Sequence, residues 1–386
     1  MNKLQKKTII YINFTPYENS GNILDYILEN FQNVIVFSLK FHSLSGDVHT
    51  NRIQIFRKGE LKKTYKLFQL PIPRSVLFLL LPVRSLMLLI QIMLYVIVLK
   101  IQFKKIDYYF TVNAFTAWVG NILRQFGLVK KTVFWVWDYY PPIHESKVIM
   151  LMRWIYWQFD KAATDSDRVI FLNERLESLR RDIGILPDNK NYSIVPIGTN
   201  PIDYKTLNKS KKIRLVFLGV LKKSQGLEIV FKTGNDLVKI FKDIELHIIG
   251  SGPDEEYFKR LAKKSKLHTV FYGYISENEK IDKILLDSDI GIACYIPDPS
   301  NVSYYGDPSK IKFYLNYAVP VITTDVFVFS QEIEKDKAGT IIDYKKPEQL
   351  INAIGHIMRN QQQFRNNALK LSKQYYFRKI YKEIFT

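Results

Sequence analysis

The stretch GDPSKIKFYLNYAVPVITTD, residues 306–325, decides how this chain is read. Gly306 and Pro308 break the chain, Ile311, Tyr314, Leu315 and Ala318 recur at helical spacing, and the β-branched run Val319–Thr323 reads as a strand. Ser309 and Lys310 therefore stand at the mouth of a helix, where backbone amides point at anions. A hydroxyl, an ammonium group and a helix N-terminus in one place suit a phosphate.

Two earlier junctions repeat the arrangement. In VFLGVLKKSQGLE, residues 216–228, a strand ends at Gly219, Lys222 and Lys223 follow, and Gly226 precedes a helix. In LHIIGSGPDEEYFKRL, residues 246–261, Gly250 and Gly252 open a tight turn and Pro253 suits a first helical turn. This turn is not a dinucleotide fingerprint, because Glu255 stands where the third glycine belongs and the junction comes late in the chain. All three junctions follow strands, so they gather at the carboxyl edge of a parallel sheet, where ligands bind in open α/β folds.

Outward from these junctions, strand-like and helix-like runs alternate, which predicts α/β architecture with parallel sheets. The first half carries strands at 8–14, 34–38, 108–112, 132–137, 169–171 and 193–196. The second carries them at 214–217, 245–249, 269–272, 290–294, 320–323 and 339–342. The polar, lysine-rich segment 199–212 reads as a linker. The division is a lobe of residues 1–198 and a lobe of residues 213–360, with a cleft between them that would take ligands. A chain of 386 residues that is 47% hydrophobic is long enough for two cores.

The formal charge is +19, which attracts polyanions such as nucleic acid, anionic lipid or phosphorylated substrates. The charges are dispersed and no RNA-binding motif appears, which argues against a nucleic-acid partner. One cysteine, Cys294, rules out an internal disulfide and fits a reducing compartment. The six histidines show no metal-ligand spacing, so no metal site is expected. The opening residues MNKLQKKTIIYINF read as a first strand rather than a signal peptide, whose apolar core is longer.

Residues 71–105 do not suit a soluble lobe. Their longest uncharged apolar run, Ser85 to Leu99, is short for a spanning helix, and Lys100, Lys104 and Lys105 close it. It reads either as a buried core helix or, preferably, as a monotopic helix in a bilayer interface with basic flanks facing anionic headgroups. Tyr65, Phe68, Trp154 and Trp157 are further interfacial aromatics on that reading.

In the first lobe, Asp138 ends a strand and is placed to orient or deprotonate an acceptor hydroxyl, or else to cap a turn. His144 and Glu145 are alternatives. Asn19, Ser20 and Gly21, after the first strand, and Asn113, after another, are candidates on the acceptor side.

Together, FLGVLKKSQGLE, LHIIGSGPDEEYFKRL, VFYGYIS, DSDIGIACYIPD and DPSKIKFYLNYAVPVITTD resemble the C-terminal domain of GT-B glycosyltransferases of the family 4 type. YYFTVNAFTAWVGNILRQFG, DRVIFLNERLESLR and YSIVPIGTN extend the likeness more loosely into the first half. The resemblance implies two Rossmann-like lobes, a nucleotide-sugar donor, UDP- or GDP-linked, held mainly by the second lobe, no required metal or other cofactor, and retention at the anomeric carbon. It also implies a last helix, residues 361–386, crossing back to the first lobe. On the family's pattern Gly219, Gly250, Gly252, Tyr274, Ser309 and Lys310 would meet the donor, and Lys222 or Lys223 would take over from the family's arginine and lysine at its diphosphate. Lys223, Lys310 and Asp138 would carry catalysis. Val220 and Gln225 stand where the family has an arginine and a lysine, and Tyr305 and Phe313 where it has two glutamates. Phe313 therefore marks either altered ribose contacts or a lobe that has lost its donor.

The expected function is a cytoplasmic glycosyltransferase, peripheral or monotopic at the inner face of the cell membrane. It would pass a sugar to a lipid-linked or polysaccharide acceptor. A non-catalytic partner of the same fold is the alternative.

Overall fold

The computed structural model describes residues 3–14, 19–39, 50–68, 77–141, 144–187, 192–202 and 212–386. Residues 15–18 of the loop after the first strand, residues 71–76 of the apolar segment and residues 203–211 of the expected linker lie outside the described residues. The chain divides into two compact units, Met1–Pro196 with Arg378–Thr386, and Ile197–Phe377.

The first unit runs β1 (Thr8–Asn13), α1 (Ile23–Asn30), β2 (Asn33–Ser38), β3 (Arg52–Arg57), β4 (Glu60–Lys66), α2 (Leu77–Phe103), β5 (Tyr108–Thr111), α3 (Ala114–Gln125), β6 (Lys131–Val136), α4 (Lys147–Ala163), β7 (Arg168–Phe171), α5 (Glu174–Asp182) and β8 (Ser193–Ile194). The strands form one sheet in the order β4-β3-β2-β1-β5-β6-β7-β8. From β2 to β8 every pairing is parallel, as the β–α alternation predicts. The β3–β4 hairpin departs from that expectation and adds an antiparallel edge. Lys58 and Gly59 turn it with φ of 52° and 79°. Positive φ at both positions is the type I′ two-residue hairpin turn, and a Lys-Gly pair does not announce one as Asn-Gly does. β4 is exposed throughout and carries Lys62, Lys63 and Lys66, a charged edge that resists pairing with other chains.

One sheet face packs Ile10, Ile12, Ile35 and Phe37 against α2 and α3 through Leu88, Ile92, Val96, Val119 and Leu123. The other face is aromatic. Phe385 packs against Phe31, Tyr108 and Phe110, while Tyr381 meets Tyr26 and Trp135. The C-terminal residues thus complete a core begun by β1. The expected single helix over 361–386 is instead broken at Gln374. Only Arg378–Thr386 belongs to the first unit.

The second unit runs β9 (Ile213–Leu218), α6 (Glu228–Ile240), β10 (Ile244–Ile249), α7 (Glu255–Lys264), β11 (His268–Gly273), α8 (Asn278–Leu286), β12 (Ile290–Ala293), α9 (Ser309–Asn316), β13 (Val321–Thr323), α10 (Ser330–Lys335), β14 (Gly339–Ile341), α11 (Glu348–Arg359), α12 (Gln361–Gln374) and α13 (Phe377–Ile380), the last straddling the boundary. Its parallel sheet has the order β11-β10-β9-β12-β13-β14. Chain order therefore reverses between β9 and β12, the point where such sheets open a crevice at their carboxyl edge. Apolar clusters cover both faces, one under α6, α7 and α11, the other under α8, α9 and α10.

Candidate active site

β9 and β12 pair only at Ile290–Leu215 and Gly291–Val216. Beyond that they part, and the backbone amide of Leu218 loses its strand partner. The Tyr314 hydroxyl, from α9, accepts that hydrogen bond at 2.7 Å. The ring of Tyr314 lies so close over Gly291 that a Cβ there would sit 2.5 Å from it. α9 is thereby pinned across the switch point, with its N-terminus at the opening.

Lys310, in the first turn of α9, is 8% exposed. Its Nζ donates to Gln225 Oε1 at 2.8 Å and lies 4.1 Å from the Phe217 ring centroid and 4.8 Å from that of Tyr295. Burial pulls its pKa down to about 7, because desolvation disfavours the ammonium form. Gly219, with φ of 142°, leaves room for this side chain, since a Cβ there would stand 2.9 Å from Lys310 Cε. Gln225 is thus the partner of Lys310. A lysine at 225, the family's residue, would set two cations side by side. Phe217 and Tyr295 were not legible as site residues, because only the fold brings two strand-end aromatics around one amine.

Gly250 and Gly252 have a packing role. A Cβ on Gly250 would lie 2.0 Å from the Gly219 carbonyl oxygen, and one on Gly252 would lie 2.4 Å from that of Leu221. These glycines let the loops after β9 and β10 pack backbone to backbone, closed by Leu221 N–H to Ser251 O at 3.0 Å. Lys222 and Lys223 are exposed. The Lys223 ammonium lies 4.5 Å over the Tyr257 ring, and its amide donates to Asp254 Oδ2. Ser309 is exposed at the start of α9, and Tyr274 is exposed just beyond β11. Half-buried Phe313 meets Tyr317 edge to face at 5.2 Å, and Tyr305 meets Tyr304 in the same way at 5.3 Å. Aromatic contacts thus occupy both glutamate positions.

Next to Lys310, α9 carries a pair that the sequence did not reveal. Lys312 Nζ donates to Asp307 at 2.6 Å and to the Ile197 carbonyl at 2.8 Å, and Asp307 accepts from the Ile197 amide. Burial raises the Asp307 carboxyl and lowers the Lys312 amine, and each is opposed by the charge of the other. The pair and Asn316, which accepts from the Asn200 amide, tie residues 197–200 to α9.

In the first unit, Asp138 follows β6 as expected, and its side chain reaches solvent. Crowding by surrounding protein raises its carboxyl above the ordinary range, against the Tyr140 hydroxyl, which donates at 3.4 Å, and the charge of Arg180. Arg180 also donates to the Asp138 carbonyl at 2.7 Å and is held by buried Asp160 at 2.8 Å. His144 Nδ1 accepts from the Ser146 amide, and Glu145 is exposed. Of the acceptor-side candidates, Asn113 is the N-cap of α3, and Asn19 lies in the turn before α1. Asn113 accepts from the Phe115 and Thr116 amides at the start of α3, and Asn19 accepts from the Leu24 amide. Gly21, in the turn that Ser20 opens, has φ of 64° and accepts from the Tyr381 hydroxyl. Among the described residues, no three His, Cys, Asp or Glu side chains are grouped to hold a metal ion.

Residues 200–374 match the family model for glycosyl transferases group 1. The fold of the whole chain is that of GT-B glycosyltransferases. Sucrose-phosphate synthase from Thermosynechococcus elongatus superposes with a TM-score of 0.68 at 16% identity, over 98% of this chain and 96% of that one. The apo structure of OtsA gives 0.66 at 12% identity over 99% of each chain. HepE of Anabaena, in complex with UDP, gives 0.62 at 13% identity over 98% of each. No curated protein sequence matches the chain. In this unit, the buried amine of Lys310 stands at the switch point of the sheet.

Proposed function

We propose that the protein transfers a hexosyl group from a UDP- or GDP-linked sugar to a hydroxyl of a lipid-linked or polysaccharide acceptor, with retention, at the inner face of the cell membrane. The observation that carries this reading is the buried Lys310 amine beside the N-terminus of α9. As the nucleoside diphosphate departs, negative charge grows on its phosphate oxygens. An ammonium and helix amides already aimed at that charge stabilise it, with no metal ion required. Asp138 serves the acceptor as an orienting carboxylate or base. UDP is the first nucleotide to try, since it is the one bound in HepE.

Thermal stability of the purified protein with UDP, GDP, ADP, TDP and CMP, without added metal, tests the reading. A ligand that binds only the native state raises Tm by mass action. A shift with one diphosphate that disappears in Lys310→Ala supports a donor site. No shift with any nucleotide favours the second reading, a non-catalytic partner, for which the aromatic residues at 305 and 313 are the specific motive.

A further inference from the structure

α2 is 27 residues long, about 40 Å at 1.5 Å per residue. By length and composition it is a candidate membrane span. Its burial shows a different arrangement. Leu88, Ile92, Val96 and Leu99, each at most 4% exposed, form one stripe packed into the core with Ile35, Phe37, Ile53 and Phe115. Val83, Leu86, Ile90, Leu94, Ile97 and Ile101 form a second stripe, with Leu94 58% and Ile101 77% exposed. At 100° per residue the two stripes centre on roughly opposite sides of the helix. An exposed apolar stripe of this length on a soluble face marks an interaction surface.

Spanning a bilayer would strip the first stripe from the sheet and open that core. Lying in the plane leaves the core intact and covers only the second stripe. The helix has no acidic residue, and Lys100, Lys104 and Lys105 stand at its C-terminal end in a chain of net charge +19. That charge complements anionic headgroups and opposes pairing with a second, equally basic copy. α3 packs against α2, α4 and the sheet, and α4 exposes Val148, Leu151 and Trp154.

We infer that α2 docks flat on an anionic bilayer, its Val83–Ile101 stripe submerged in one leaflet while its opposite stripe stays on the sheet. This rests on the proposed membrane-bound transferase, and fixes how the membrane is engaged.

The test uses the full chain with a single new cysteine at Leu86, Leu94 or Ile101, carrying an environment-sensitive maleimide fluorophore. Cys294 is buried and escapes the label. Vesicles of phosphatidylcholine with one-third phosphatidylglycerol should be bound at least tenfold more tightly than pure phosphatidylcholine. Lipids with nitroxides at two chain depths should quench all three labels alike. The Ile90→Glu, Leu94→Glu double variant should lose at least tenfold in vesicle affinity with its circular dichroism and Tm unchanged. A graded pattern, deepest at 94 and shallow at 86 and 101, would mean a spanning helix and overturn the inference. Equal binding to neutral vesicles, or no binding with concentration-dependent dimerisation, would overturn it too. Nucleotide is absent throughout, so failure of the donor-site reading leaves this result standing, and the reverse.

Discussion

Lys310 and Gln225 lie 85 positions apart in sequence and meet at 2.8 Å, amine to amide oxygen, where β9 and β12 part. One neutral acceptor and two aromatic rings surround an amine whose pKa is drawn down to about 7. A bound diphosphate favours the charged amine, so binding above pH 7 must also take up a proton there. Nucleoside diphosphate affinity should fall as pH rises past 7, by at most about tenfold per unit. The folding consequence has its own sign. In the unfolded chain the amine keeps its ordinary value of 10.5, so between about 7 and 10.5 the unfolded state holds the extra proton. Lys310 therefore makes stability rise with pH across that window. Lys310→Met should remove the dependence, raise Tm at pH 7 and abolish nucleotide binding, as calorimetry and titration at several pH values would show.

Gln225→Lys restores the family's residue against a lysine already in place. Two adjacent ammonium groups should lower the Tm of the free protein. A bound diphosphate would neutralise both, so the ligand-induced shift should exceed that of the wild type. An unchanged Tm in the free variant would mean that the new side chain turns away to solvent.

Phe313→Glu places a carboxylate where the family holds ribose hydroxyls. The Tyr317 contact is lost and a half-buried charge gained, at a cost of about 1–3 kcal/mol in stability. The wild type should bind ribonucleotides and their 2′,3′-dideoxy forms with similar affinity, and the variant should prefer the ribonucleotides. Competition titrations with the two nucleotide forms decide this.

Asp160 holds Arg180, which in turn holds the Asp138 carbonyl. Asp160→Ala leaves a buried guanidinium unpaired and should cost about 3–5 kcal/mol, whereas an Asp160→Leu, Arg180→Met double variant should cost much less. Denaturant melts of the three proteins give the comparison. Similar losses in the two variants would mean that packing, rather than charge, dominates at this site.

Glu245 sits near the start of β10 with Lys212, Arg214 and His247 within hydrogen-bond reach. Burial alone would raise its carboxyl, but hydrogen bonds from His247, Lys212 and Arg214 override burial and bring it to about 2. Its contribution to stability is therefore present above the ordinary value of 4.5 and fades as pH falls from there towards 2. Glu245→Gln should flatten the fall in Tm over that acid range and lower Tm at neutral pH.

The alternation of strands and helices and the place of each parallel strand to within one or two residues were legible in sequence. They rest on local causes: β-branched runs, helical periodicity, and a Gly-Asp-Pro break before a helix. The β3–β4 hairpin was not legible, because a Lys-Gly turn lacks the usual signal. Asn113 read as an acceptor-site residue, yet a short polar side chain before a helix is equally a cap, and the capping bonds of Asn113 appear only in the hydrogen-bond geometry. Gly250 and Gly252 read as a tight turn, and their close packing against the loop after β9 is visible only in the fold. The double stripe of α2 was hidden too, since a helix apolar all round does not say which side meets its own core. Partners such as Lys310 with Gln225, Lys312 with Ile197 and Phe385 with Phe110 join residues far apart in the chain. Chain folding alone sets such distances, so sequence determined which elements form, and tertiary structure decided which side chains serve the site and which serve the packing.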